Sequence, residues 1–177
     1  MHDFTDRMLR AAKLDVNLYE EVEADTSAMG QAMGVVILAS LAAGIGSTAV
    51  QGVGGIIVGT LASLAGWYIW AYLTYFIGTK FLPEPQTQTN PGELLRTIGF
   101  SSSPGIIRIV GIIPGLTGIV FFIASVWMLG AMVVAVRQAL DYESTLRAVG
   151  VCAIGWVIQG LVLALVWALF GAPAGEL

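Results

Sequence analysis

The chain has 177 residues, of which 11% are charged and 56% hydrophobic, and its mean hydropathy is +0.82. Soluble domains carry roughly 25% charged residues, so this composition has too little polar surface for a water-soluble fold and points to a membrane protein. A net charge of -4 without any Lys/Arg cluster excludes a nucleic-acid partner, whose phosphates draw on basic patches, and the apolar runs leave no room for a separate catalytic domain.

The chain opens with Asp3, Asp6 and Arg7 and has no apolar core before Met29. It therefore does not read as a cleavable signal peptide, and the first membrane helix is expected to act as an uncleaved insertion signal. Phe4, Met8, Leu9 and Ala12 share a helical stripe, opposed by Asp3 with Arg7 and Asp6 with Arg10 at i,i+4. Such a short amphipathic helix can lie on a membrane surface. A second stripe, Leu14, Leu18 and Val22, runs into the acidic residues Glu20, Glu21, Glu23 and Asp25. These acids read first as a solvated face and second as a docking point for a basic partner. Thr26 and Ser27 are expected to cap the next helix.

The first span is predicted over Gln31 to Thr48, followed by a glycine-rich turn across Gly46 to Gly54 and a second span over Gly54 to Ile77. Trp67, Tyr68, Trp70, Tyr72 and Tyr75 crowd the second half of that span, where an interfacial aromatic belt is expected. Asn90-Pro91-Gly92-Glu93 supplies a cap, a first-turn proline and a first-turn acid, predicting a short helix from Leu94 to Phe100. From Gly105 to Val136 the chain is apolar apart from Arg108 and is broken at Pro114-Gly115. As α-helix this stretch would measure about 48 Å against a hydrocarbon core of roughly 30 Å. It predicts a short helix from Gly105 to Ile113 turning into a full span that ends near Arg137. Asp141, Ser144 or Thr145 caps a last span over Arg147 to Phe170.

The fold expected is an all-α polytopic membrane protein with about five transmembrane helices, the third short, and short amphipathic helices at its amino terminus. Residues 1–28 form a cytoplasmic segment and residues 29–177 the membrane domain. With the amino terminus inside, Arg7, Arg10, Lys13, Lys80, Arg96, Arg108, Arg137 and Arg147 all fall on the cytoplasmic face of the inner membrane and Ala172 to Leu177 outside.

Chemistry-bearing residues are sparse. The one histidine, His2, sits at a terminus expected to fray, and Cys152 lies within an apolar run as a small buried group. Neither a metal cluster nor a catalytic pair is readable, so no cofactor, no metal and no enzyme activity are expected. Arg108 reads as a snorkelling side chain, with lipid or partner contact as the functional alternative. Gln159 is the polar group expected to be buried within the last span, as interhelical glue or as a solute ligand. Gly30 and Gly34, Gly55 and Gly59, and Gly111 and Gly115 stand at four-residue spacing, which suits close helix packing within the chain or a homo-oligomer seam.

The block Glu93-Leu-Leu-Arg-Thr-Ile-Gly-Phe-Ser-Ser-Ser-Pro104, then Ile113-Pro-Gly115, Trp127 and Val134-Ala-Val-Arg-Gln-Ala-Leu140, resembles the bacterial branch of the Yip family, the Ypt/Rab-interacting membrane proteins. Leu18 to Ala32 is similar to the same branch. The resemblance implies a five-helix architecture, action through partners and no catalytic residue. Eukaryotic members are associated with membrane traffic and small GTPases through a cytosolic amino-terminal region; here residues 1–28 lack the Asp-Leu-Tyr-Gly-Pro type of motif. The function expected is a non-enzymatic membrane adaptor or accessory subunit. It would bind membrane lipids and other integral membrane proteins, a larger complex or itself, through Leu94–Phe100, Gly105–Gly115 and the acidic segment. Arg96, Arg108 and Arg137 are expected to collect at the cytoplasmic interface. The alternative is a small-solute transporter or channel that uses the break at Pro114 and Gly115.

Overall fold

The computed structural model describes residues 3–47 and 54–170, and these are helical and turn segments without strands. His2, most of the Gly46–Gly54 turn and the Ala172–Leu177 tail lie outside the described residues. Four helices are long and apolar enough to cross a membrane: Thr26–Gly46, Ile56–Phe81, Thr117–Ala139 and Thr145–Val162. In chain order the α-helices are α1 (Phe4–Ala12), α2 (Val16–Ala24), α3 (Met29–Gly46), α4 (Gly54–Phe76), α5 (Pro91–Ser101), α6 (Thr117–Ala139) and α7 (Thr145–Phe170).

Local chemistry accounts for the boundaries. Asn90 and Glu93 close a reciprocal capping box with Pro91 in the first turn, so α5 starts where its sequence predicts. Before α3, Asp25 rather than Thr26 or Ser27 is the capping residue: its carboxylate accepts from the Ser27 amide at 2.9 Å and opens a single 3-10 turn, Thr26–Ala28. The Ser144 carbonyl accepts from Arg147 and Ala148 as α7 begins. Between α6 and the segment before it, Gly115 takes a φ of +86°, a left-handed conformation that glycine adopts without a Cβ clash.

The short element predicted over Gly105–Ile113 is a 3-10 helix, Ser103–Ile112, rather than α-helix. A 3-10 helix rises about 2.0 Å per residue against about 1.5 Å in an α-helix, so the segment reaches further than its residue number suggests. Contacts show how far. A Cβ on Gly99 would stand 2.8 Å from the Cβ of Ala32, one on Gly105 3.2 Å from that of Ala39, and one on Gly46 would overlap the Arg108 carbonyl. The segment therefore runs parallel to α3 along most of its length. It then returns antiparallel against α6, where the Gly105 Cβ position meets Met128 and the Gly111 position meets Phe121.

Helix α4 runs back along α3, with Ile56 against Gly44, and α7 meets α4 where Trp70 lies over Gly155. The aromatic crowd of α4 is split rather than gathered in a belt. Trp67 and Trp70, three residues apart, face the core, while Tyr68 and Tyr72 are exposed. The Trp67 indole donates to the Leu95 carbonyl at 2.9 Å and so fastens α4 to α5. At the same end, Arg147 donates to the Pro83 carbonyl at 2.6 Å, and the Glu143 amide donates to Glu84 at 2.9 Å. The loop after α4 is thereby bound to the α6–α7 turn.

The amino-terminal helices belong to the same core. Leu18, Tyr19 and Val22 are buried together with Leu94, Leu95 and Ile98 of α5 and Ala135, Val136 and Ala139 of α6. Helix α1 crosses the bundle, with Phe4 against Gly34 of α3 at one end. At its other end the Ala12 carbonyl accepts from the Trp127 indole of α6 at 2.7 Å. Its inward face keeps Phe4 and Met8 of the predicted stripe but adds the buried Arg7 and Ala11, while Leu9 is exposed. Glu21 of α2 and Asp25 at its end hold Arg7 inward beside the apolar residues.

Candidate functional site

The predicted site residues divide into two regions at opposite ends of α3. At the amino-terminal end, Arg7 is only 3% exposed and donates to Glu21, Asp25 and Gln31 at 2.8, 2.8 and 2.9 Å. Arg10 pairs with Asp15 and with the second oxygen of Glu21 at 2.8 and 2.7 Å, and lies 3.9 Å from Asp6. Burial opposes the Arg7 charge, but the hydrogen bonds to Asp25 and Glu21 outweigh it and its pKa is raised. Asp25 is lowered to about 2, first by the Ser27 hydroxyl and then by Arg7.

The acidic run is thus not one solvated face. Glu21 and Asp25 are bound within the network, and Glu20 accepts from the Gln138 side chain of α6. Glu23 is half-buried, and burial, reinforced by the charges of Asp141, Glu20 and Glu93 and opposed by Arg96, pushes its carboxyl up to about 8. Arg96 is only 5% exposed. Its guanidinium donates to the Val22 carbonyl at 2.8 Å and to the Glu23 carbonyl, satisfying the free carbonyls at the end of α2. Arg137 donates to the Tyr142 carbonyl at 3.1 Å and closes the α6–α7 turn. Both arginines donate to backbone carbonyls at the ends of these helices.

Arg108 does not join Arg96 and Arg137, contrary to the expectation from charge counting. Its carbonyl lies against Gly46, the last residue of α3, because α5 and the 3-10 segment together follow α3 past Ala32 and Ala39. Its Nη2 donates to the Ser125 hydroxyl at 3.1 Å, and its guanidinium carbon stands 5.4 Å from the centre of the Phe121 ring. It lines a cleft of about 300 Å³ whose floor is α3 from Val36 to Ala43, with Ser63 and Trp70 of α4 and Trp156 and Gln159 of α7 on its walls. A second cleft of about 140 Å³ shares Ser40, Ala43 and Ser63 with the first.

Gln159, expected to be buried, is exposed at the margin of the larger cleft and makes no hydrogen bond among the described residues. Pro114 and Gly115 are exposed at the turn before α6 and line neither of these two clefts. Sequence reasoning missed Trp70, Ser40 and Ser63 as companions of Arg108. The i,i+3 spacing of Trp67 and Trp70 was the available signal that both indoles share an inward face.

The sequence profile of the Yip1 domain matches residues 21–168. The chain belongs to the Yip1 family. The match begins within α2 and takes in the four membrane-crossing helices, so the Yip1 domain here includes the acidic residues from Glu21 onward as well as the Arg108 cleft. No curated protein and no solved structure matches this Yip1-domain chain significantly.

Proposed function

We propose that this Yip1-family protein is a non-enzymatic adaptor or accessory subunit of the inner membrane, belonging to the bacterial branch of the family, that binds other integral membrane proteins or itself. On this reading five elements cross the membrane, the 3-10 segment being the third. The amino terminus is cytoplasmic and the carboxyl terminus outside.

The exposure of α7 carries the proposal. Helix α6 keeps a buried stripe, Val120, Ala124, Ala131 and Ala135, from one end to the other. Beyond Gly155, α7 has none among the residues whose burial is described: Ile158 alone is partly buried against the core, while exposure runs from 49% at Trp156 to 66% at Leu161 among Trp156, Val157, Leu161, Val162 and Leu165, and Gln159 and Gly160 are exposed with them. Lipid satisfies the apolar part of such a surface as well as protein does, but it offers nothing to the Gln159 amide. A side-chain amide within a membrane helix commonly bonds across to a second helix.

The test is native mass spectrometry of the protein released from membranes in a mild detergent. The expected result is a stoichiometric membrane-protein partner or a homo-oligomer, weakened by Gln159→Leu. A monomer that also stays monomeric when cross-linked in intact membranes would overturn the reading.

A further inference from the structure

We propose that the cleft beside Arg108 binds the phosphate of an anionic phospholipid, whose acyl chains lie along Met128, Met132 and Trp156. Two donors on the cleft walls have no acceptor. The Arg108 Nε and the Trp70 Nε1 are both buried without a hydrogen-bond partner, and Trp70 is only 8% exposed. Among the described residues no carboxylate pairs with Arg108. A positive charge and an indole N–H with no acceptor, placed between membrane helices, are costly unless an anionic acceptor meets them.

The chemistry of that acceptor follows from the walls. A guanidinium matches the oxygens of a phosphate, and the hydroxyls of Ser40, Ser63 and Ser102 also line the cleft. No acidic residue is among the lining, so the choline of a zwitterionic lipid would find no counter-charge. A lipid is favoured over a soluble anion because the remaining lining is apolar, including Met128, Met132 and Trp156, and because Ser63 and Gln159 at the margin are exposed. About 300 Å³ accommodates a headgroup and its first carbons, with the chains continuing outside along the helices. The close approach of the Arg108 carbonyl to Gly46 fixes the backbone from which the side chain enters.

The cleft carries its own reporters in Trp67, Trp70 and Trp156. Protein reconstituted into phosphatidylcholine vesicles would be titrated with phosphatidylglycerol or phosphatidylcholine brominated on the acyl chains, following tryptophan quenching. Brominated phosphatidylglycerol should quench at roughly five-fold lower mole fraction, the preference that one basic side chain gives an anionic headgroup. Arg108→Gln should bring the two lipids to parity, and Arg108→Lys should keep part of the difference. Equal quenching by both lipids in the wild-type protein overturns the proposal without reference to any variant, as does a preference that persists in Arg108→Gln. Loss of the preference in excess inorganic phosphate would make the occupant a soluble anion and overturn the lipid assignment.

Discussion

Arg7 is the side chain on which the amino-terminal layer turns. Two carboxylates and an amide converge on one guanidinium that is nearly buried, and a fork of fixed donors suits several acceptors where a single ammonium does not. Because Glu21 and Asp25 remain 23% and 29% exposed, removing Arg7 leaves them partly solvated. Arg7→Ala should therefore cost about 2 kcal/mol, below the range for a fully buried pair, and Arg7→Lys should restore only part of it; chemical unfolding in detergent measures both. Two neighbouring carboxyls give the layer opposite pH limits. The Asp25 contribution is whole above its ordinary 3.8 and is lost as pH falls through about 2. The Glu23 contribution is whole below 4.5 and is lost as pH rises through about 8, because burial first, and then the charges of Asp141, Glu20 and Glu93 with Arg96 opposing, favour its protonated form. The thermal midpoint of the wild-type protein should be highest near pH 4 to 5 and decline on the alkaline side. Glu23→Gln should flatten that decline, and an unchanged slope would show that Glu23 does not set it.

At the scale of elements, the 3-10 segment lies between α3 and α6 because small residues let it approach them. Four-residue spacing does not mark the glycines that matter: of the pairs, Gly34 and Gly111 meet a neighbour. Gly30, Gly59 and Gly115 have open space where a Cβ would stand, whereas Gly46, Gly99, Gly105 and Gly111 touch neighbouring elements. Gly46→Ala would drive a methyl into the Arg108 carbonyl and should destabilise the fold by about 1 to 3 kcal/mol, the usual cost of overpacking. Gly59→Ala should be close to neutral, and equal melting temperatures for the two variants would show that α3 and the segment are not in the described contact. Composition and periodicity made the spans, the break at Pro114-Gly115 and the start of α5 legible, because each rests on local chemistry. They could not show which glycines meet a neighbour, since that depends on how the helices cross. The position of Arg108 was missed for a related reason: the crossing was expected to begin only at Gly105, whereas α5 already lies along α3, with Gly99 against Ala32, so the chain has followed most of α3 by the time it reaches Arg108. The buried Arg7 contradicted a purely apolar stripe, because its partners come from a different helix.

For the whole molecule, charge and contact together support the proposed orientation. The α1–α2 layer with Arg7 and Arg10, together with Arg96, Arg137 and Arg147, gathers where α3 begins and α6 ends. Arg108 alone among the named arginines lies by the far end of α3. Basic residues in short loops favour the cytoplasm, so under the proposed orientation the α6–α7 turn around Glu143 lies inside. The turn around Leu116, reached by way of the 3-10 segment, then belongs outside. A segment that failed to cross would leave α6 entering from the inside and would put Glu143 outside. Single cysteines at these two positions, introduced with Cys152→Ser, distinguish the arrangements in intact cells treated with a membrane-impermeant maleimide. Leu116→Cys should label from outside, and Glu143→Cys should label only after the membrane is opened. The reverse pattern would mean that the segment does not cross, and α3 and the segment, which run parallel in the fold, would then have to separate in the bilayer.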